Sequence, residues 1–189
     1  MPRFTALLDA SALYSMTITD LVIEMARTGI FRARWSHDIH EEWIRSLRSN
    51  RPDLDRSKIE ARRDAMNAAL PDCLVDDYRH LIPGLTLPDP DDRHVLAAAI
   101  AGRADVIVTR NLKDFPPAAL EPHGIEAQHP DTFLIHQRGL SEQTFLECAR
   151  RCRRRLIAPA LSPDDYLTAL RKVELVLVAS ELERTKALL

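Results

Sequence analysis

Glycine is scarce in this chain, 5 residues among 189, and the scarcity excludes a whole class of chemistry. Loops that wrap a nucleotide phosphate in backbone N–H groups need closely spaced glycines, and neither G-x-G-x-x-G nor a Walker pattern occurs. Cysteine is equally thin. Cys73, Cys148 and Cys152 make an odd set with no C-x-x-C pair, which argues against a disulfide framework and for a reducing, cytoplasmic setting. Cys148 and Cys152 share a helical face and read as packing residues. No apolar run approaches the roughly 18 residues of a membrane-spanning helix, and Met1-Pro2-Arg3 leads toward the first strand without an apolar leader. The expectation is a protein with no membrane segment. Nor does one sign of charge dominate: the formal charge is -2 at pH 7, so nucleic acid would have to be met by local basic patches.

The remaining composition is that of an ordinary globular protein, 46% hydrophobic and 29% charged, long enough for one core-bearing domain and an appendage. Phe4–Leu8, Phe31–Trp35, Val106–Val108 and Ile125–Gln128 read as strands, with a weaker strand candidate within 73–87. Between them helical spacing recurs. One run extends from Leu13 to Ala26 and is stopped by Gly29; others cover Asp38–Ser49, with Ser36 as N-cap, Asp53–Leu70, the Ala-rich Val95–Ala101, and Pro130–His136. Alternating strands and helices imply an α/β fold with a mainly parallel sheet covered on both faces. Past Gly139 strand patterns cease. Ser141 and Ser162 open helices, so an α/β domain over residues 1–140 is followed by a helical extension over 141–189.

Carboxylates collect where strands end. Asp9 closes the first strand, Glu42 lies on the helix after the second, Asp91 and Asp92 begin the Ala-rich helix, and Asp114 follows the third strand. Open α/β sheets bind ligands at that edge. Acids brought together there repel one another and raise each other's pKa unless a cation neutralises them. Oxygen donors of this kind suit Mg²⁺ or Mn²⁺.

The stretches Leu7-Leu8-Asp9-Ala10-Ser11, Glu42, Asp92-Arg93-His94-Val95-Leu96-Ala97-Ala98-Ala99 and Ile107-Val108-Thr109-Arg110-Asn111-Leu112-Lys113-Asp114-Phe115, in this order, resemble the PIN domain. That family comprises metal-dependent nucleases, and the likeness is strongest to its VapC-type toxins. His129-Pro130-Asp131-Thr132-Phe133-Leu134 and the helical tail look like the C-terminal extension of a longer subset. The resemblance implies a PIN-like three-layer fold and an endoribonuclease in which a metal-activated water hydrolyses RNA. It also implies a homodimer held inactive by a cognate antitoxin protein. Asp9, Glu42 and Asp92 would be the first three acids of the metal centre. Asn111 stands where the fourth commonly falls, so either its carbonyl or the Asp114 carboxylate completes the site. Ser11 and Thr109 would orient ligands or waters, and Arg45, Arg48 and Arg110 are candidates for RNA contact. One or two ions remain possible.

Other readings compete. Glu41 rivals Glu42, which is preferred because it borders the apolar pair Trp43-Ile44. Asp89, Asp91 or Asp92 caps a helix. His37, His40 and Glu41 evoke zinc, but the spacing does not match H-E-x-x-H. Arg150–Arg155 reads as a solvated helix face, with RNA or antitoxin contact as rivals. The alternative to the whole reading is a degenerate PIN module that binds RNA or a protein without cleaving; a DNA-directed nuclease of the same broad fold is a third.

Overall fold

The structure, a computed structural model, describes residues 4–157 and 159–189; the leader-free reading of Met1–Arg3 falls outside them. Four short strands form one sheet in the order β2-β1-β3-β4, with β1 at Thr5–Leu8, β2 at Arg32–Arg34, β3 at Val106–Val108 and β4 at Glu126–Gln128. All pair in parallel. β1 and β3 are buried along their whole length while β2 and β4 are partly exposed. Central strands covered on both faces can carry unbroken apolar runs; edge strands cannot.

The chain steps from β1 to β2 on one side, then crosses back to β3 on the other. Such a reversal leaves a crevice beyond the C-terminal ends of the two central strands. The register pairs Leu8 with Val108, so the next residues, Asp9 and Thr109, leave the sheet side by side at that crevice.

Helices α1 (Ala10–Tyr14), α2 (Met16–Arg27), α3 (His37–Asn50), α4 (Arg56–Ala69) and α5 (Arg93–Ala101) frame the first half of the sheet. The single helix expected before Gly29 is broken at Ser15. Its extended backbone ends α1, and its hydroxyl accepts the Ile18 N–H to begin α2. Arg62 of α4 closes the corner by donating to the carbonyls of Leu13 (2.6 Å) and Tyr14 (3.3 Å), groups that the break leaves without helical partners. Ser36 caps α3 as expected, accepting from the Ile39 N–H at 3.2 Å. The weak strand candidate within 73–87 is reduced to a parallel bridge between Trp35 and Leu74 followed by a 3-10 turn at Arg79–Gly84.

Beyond α6 (Pro117–Leu120) and β4 come α7 (Pro130–Leu140), α8 (Glu142–Arg155), α9 (Pro163–Lys172) and α10 (Val176–Arg184). Ser141 and Ser162 cap α8 and α9 through their hydroxyls. α8 packs on α2, and α10 on α7 and α9, so the buried apolar residues form one continuous core from Ala6 to Leu189. Buried Glu24 of α2 accepts from Arg151 (3.3 Å) and Arg155 (2.5 Å) of α8. Arg153 donates to the carbonyls of Leu161 and Leu189. Arg151 and Arg155 thus brace α8 against α2 while their own side chains stay largely exposed, so the solvated face of the run also carries ion pairs to a buried acid. Cys148 and Cys152 are buried and unpaired. Burial pushes their thiols up, to about 11 and about 12, which makes them inert packing groups.

Candidate metal centre

Asp9 is 3% exposed and tightly held. Its Oδ1 accepts the Ala10 N–H at 2.6 Å, and its Oδ2 accepts the hydroxyls of Ser11 (2.7 Å) and Thr109 (2.8 Å). With both hydroxyl hydrogens aimed at Asp9, the two oxygens are left to accept. Ser11 Oγ takes the Arg110 N–H at 2.9 Å and Thr109 Oγ1 the Asn111 N–H at 3.0 Å. One network thus fixes the carboxylate and the loop after β3 together. Burial pushes the Asp9 carboxyl up, and Glu42 adds to it, against the downward pull of the two hydroxyls.

Asp92 ends a 3-10 turn at Pro90–Asp92 and begins α5. Asp89 is the residue that caps, accepting the Asp91 N–H at 2.9 Å, whereas the Asp92 side chain makes no capping bond. Its carboxylate is consequently free to face the cleft. Desolvation, then the charges of Asp9, Glu42, Asp89 and Asp114, drive its pKa up to about 7. Among the described residues the one side-chain hydrogen-bond partner of Glu42 of α3 is His94 Nε2, at 3.2 Å from its Oε2. Burial would lower the His94 pKa, but the Glu42 bond and the carboxylates of Glu42, Asp38 and Asp9 outweigh it, and the net shift is upward. The Nδ1 of His94 is buried with no partner among the described residues.

Asp92, Glu42, Asn111 and Asp114 line one cleft of about 530 Å³, with Asp38, Glu41, Asp89 and Asp91 around them and Arg45 and His94 as the basic members. Asp9 is buried and not among the residues that line it, but its charge is the first of those that act on Asp92. Glu42 is less exposed than Glu41. Both Asn111 and Asp114 reach this cleft, so geometry keeps both in play for the fourth position. A larger cleft of about 760 Å³ between α3 and α4 contains Arg45 and Arg48; chemistry, not volume, favours the acidic one. Arg110 lines a third, of about 540 Å³, which shares Glu42 and Asn111 with the acidic cleft.

These groups suit a hard cation. The acidic oxygens are on hand, and the raised pKa of Asp92 reflects burial first and then a repulsion from the surrounding acids that a positive ion would relieve. Among the described residues no three His, Cys, Asp or Glu side chains stand together as a preformed cage. The zinc reading of His37, His40 and Glu41 does not survive. His40 is buried, with Nδ1 accepting from Trp43 Nε1 and Nε2 bonded to Asn67 Oδ1, both at 2.9 Å. Desolvation, the largest influence on it, takes its pKa down to about 4, so it is a neutral core histidine. The site members that the sequence did not flag are His94 as the partner of Glu42 and Asp38 at the rim. Their contacts span 52 residues (His94–Glu42) and 41 residues (Arg79–Asp38), and no local spacing encodes such pairs.

A model of the PIN domain family matches residues 5–113, and a model of the VapC50 C-terminal domain matches residues 130–184. A relative from Mycobacterium tuberculosis (strain ATCC 25618 / H37Rv), described as "Putative ribonuclease VapC50", is 48% identical over 79 residues, 42% of this chain and 47% of the relative. The match thus spans about half the length of that relative. No solved structure matches the chain.

Proposed function

Since this chain belongs to the PIN domain family, we propose that it is an endoribonuclease that hydrolyses RNA phosphodiester bonds with Mg²⁺ or Mn²⁺ and acts as the toxin of a type II toxin–antitoxin pair. The observation that carries the reading is Asp92, a carboxylate pushed to about 7 by burial and by the acids around it in an open cleft. Likeness to a relative described as a ribonuclease supports RNA as the substrate. The toxin role, the antitoxin, the homodimer and the cytoplasmic setting rest on the VapC-type resemblance. No helix among the described residues is long and apolar enough to cross a membrane.

In this reading Asp9, Glu42 and Asp92 hold the cation, and Asn111 or Asp114 completes the set. When bound, the ion supplies positive charge against the phosphodiester's developing negative charge and makes water a stronger nucleophile. Ser11 and Thr109 keep Asp9 in one orientation, so its carboxylate needs no reordering when substrate arrives. His94 steadies Glu42 through its Nε2. Arg45, at the rim shared by the acidic and the α3–α4 clefts, and Arg48 beyond it give the backbone of RNA a local cationic path that the net charge does not provide.

The test is cleavage of a labelled RNA by the full chain in Mg²⁺ or Mn²⁺. Cleavage should stop with EDTA, and Asp9→Asn should reduce it to the EDTA level; equal activity of wild type and Asp9→Asn would overturn the assignment. Asn111, standing where the resemblance expects a fourth acid, favours one second reading, a degenerate module that binds RNA or a protein without cutting. Salt-dependent RNA binding with no cleavage in either metal would establish it.

A further inference from the structure

The C-terminal extension reaches the site at a residue that no motif marks. Glu174 lies in the turn between α9 and α10, and its Oε2 accepts from Arg110 Nε at 3.0 Å and from Arg110 Nη2 at 2.6 Å. Arg110 is the residue after Thr109, and its own N–H is tied to Ser11 Oγ. Its backbone is therefore fixed by the network under Asp9, and its guanidinium by the extension.

The position of Glu174 is built, not incidental. Its φ is +65° because it closes α9: the Glu174 N–H reaches the Arg171 carbonyl and the Leu175 N–H that of Leu170, the left-handed ending common to helices, which fixes where the side chain starts. The helix that follows is anchored by Asp131, a buried residue of α7 whose carboxylate accepts the N–H groups of Leu177 (2.7 Å) and Val178 (2.9 Å). Asp131 lies in the first turn of α7, three residues after β4 ends. The sheet edge thus holds α10, and α10 holds the turn that presents Glu174.

Arg110 and Glu174 line the 540 Å³ cleft with Ser11, Tyr14, Asn50 and Asn111. Its neighbour across Glu42 and Asn111 is the acidic cleft. An RNA strand with one phosphate over the acids must lay the next phosphate nearby, where carboxylates are not crowded. The second cleft offers neutral donors and one cation, Arg110, beside two carboxylates, Glu42 and Glu174, against the seven that line the acidic cleft. Arg110 spends two of its five N–H groups on a single carboxylate oxygen, leaving Nη1 available. The pair is open to solvent, which screens the competing negative charge.

We propose that Glu174 is a positioning residue contributed by the C-terminal extension, holding the Arg110 guanidinium over this cleft to receive the phosphate next to the scissile one in single-stranded RNA. The proposal rests on the nuclease reading above.

The experiment uses the full chain and a fluorescein-labelled, mixed-sequence single-stranded RNA 12-mer. Binding is followed by anisotropy in EDTA across a salt series, and steady-state cleavage in Mn²⁺. Arg110→Ala should weaken binding roughly tenfold and flatten the log–log salt slope by about 0.7. Glu174→Gly removes the carboxylate while suiting the backbone, since glycine adopts that φ readily. It should melt no lower than wild type, yet bind several-fold more weakly and raise KM with kcat held. Glu174→Gln keeps an acceptor and should recover most of the loss. The double variant should be no worse than Arg110→Ala alone. Glu174→Gly binding as well as wild type, or tighter, overturns the proposal, as does a loss that adds to that of Arg110→Ala. If wild type neither binds nor cleaves, the nuclease reading fails and this proposal with it; if wild type does both and Glu174→Gly is indifferent, only this proposal falls.

Discussion

Asp92 is the residue at which the fold gives up stability. Its pKa rises from 3.8 to about 7, so across that interval the folded state binds more protons than the unfolded one. Its contribution to stability therefore falls as pH rises from about 4 to about 7, and at neutral pH the metal-free protein carries the full cost. Taken whole, the shift would be worth about 4 kcal/mol; because the side chain is only half-buried, about 1–2 kcal/mol is the realistic share. Asp92→Asn should accordingly raise the melting midpoint in EDTA at pH 7 by roughly 3–6 °C, with the gain vanishing near pH 4. His40 acts in the opposite sense. Its pKa falls from 6.5 to about 4, so its contribution is intact above 6.5 and is lost as pH drops toward 4. Wild-type melting alone mixes the two, and the difference between wild type and Asp92→Asn across pH isolates the carboxylate. A difference that does not change with pH would refute the electrostatic account. At this scale the acids were readable in the sequence because strand ends and helix starts mark them. The role of Asp89 as the cap, which frees Asp92, was not, since both are acids at a helix start.

Among the elements, α8 shows what composition leaves out. Arginine at five of six positions from 150 to 155 reads as a solvated face with RNA contact as a rival, and helical spacing separates the run into faces. Arg151 and Arg155, four apart, converge on Glu24, whose side chain is 5% exposed. No pattern within α8 could reveal this, because the acid lies 127 and 131 residues away on α2. Glu24→Gln should weaken two charge-assisted bonds at a buried acceptor and cost about 1–3 kcal/mol, lowering the melting midpoint while RNA affinity stays unchanged. The opposite pattern, lost RNA affinity with an unmoved midpoint, would return the run to the RNA surface. The strands were easier to read: β1 and β3 are continuous apolar runs because both of their faces are covered. The break at Ser15 was hidden, since serine at that position neither disrupts the apolar periodicity nor announces that Arg62, 47 residues on by sequence number, will satisfy the carbonyls it frees.

Across the whole molecule, composition changes near residue 140 but packing does not. Phe145, Cys148, Tyr166, Leu170, Val178 and Leu182 are all nearly inaccessible and belong to the same core as Ile18, Leu21 and Val22 of α2. The strand order β2-β1-β3-β4 and the docking of the extension both come from contacts distant in sequence, which is why the alternation of elements revealed the fold class but not the arrangement. Each large apolar side chain returned to water costs about 1.5–3 kcal/mol, so uncovering a few on α2 and α7 exhausts the roughly 5–15 kcal/mol by which a domain is stable. We therefore expect residues 1–140 expressed alone to lack a cooperative thermal transition and to aggregate through the bared face of α2, even though every candidate metal ligand is present in that piece. Circular dichroism melting and light scattering of the truncated and full chains decide this. A soluble, cooperatively melting 1–140 fragment that binds RNA as tightly as the full chain would show the extension to be dispensable to the fold and would remove Glu174 from the site at the same time. Loss of folding in the fragment, beside retained folding in Glu174→Gly, would instead separate the two contributions of the extension: its apolar helices close the core, and the turn after α9 brings Glu174 to Arg110.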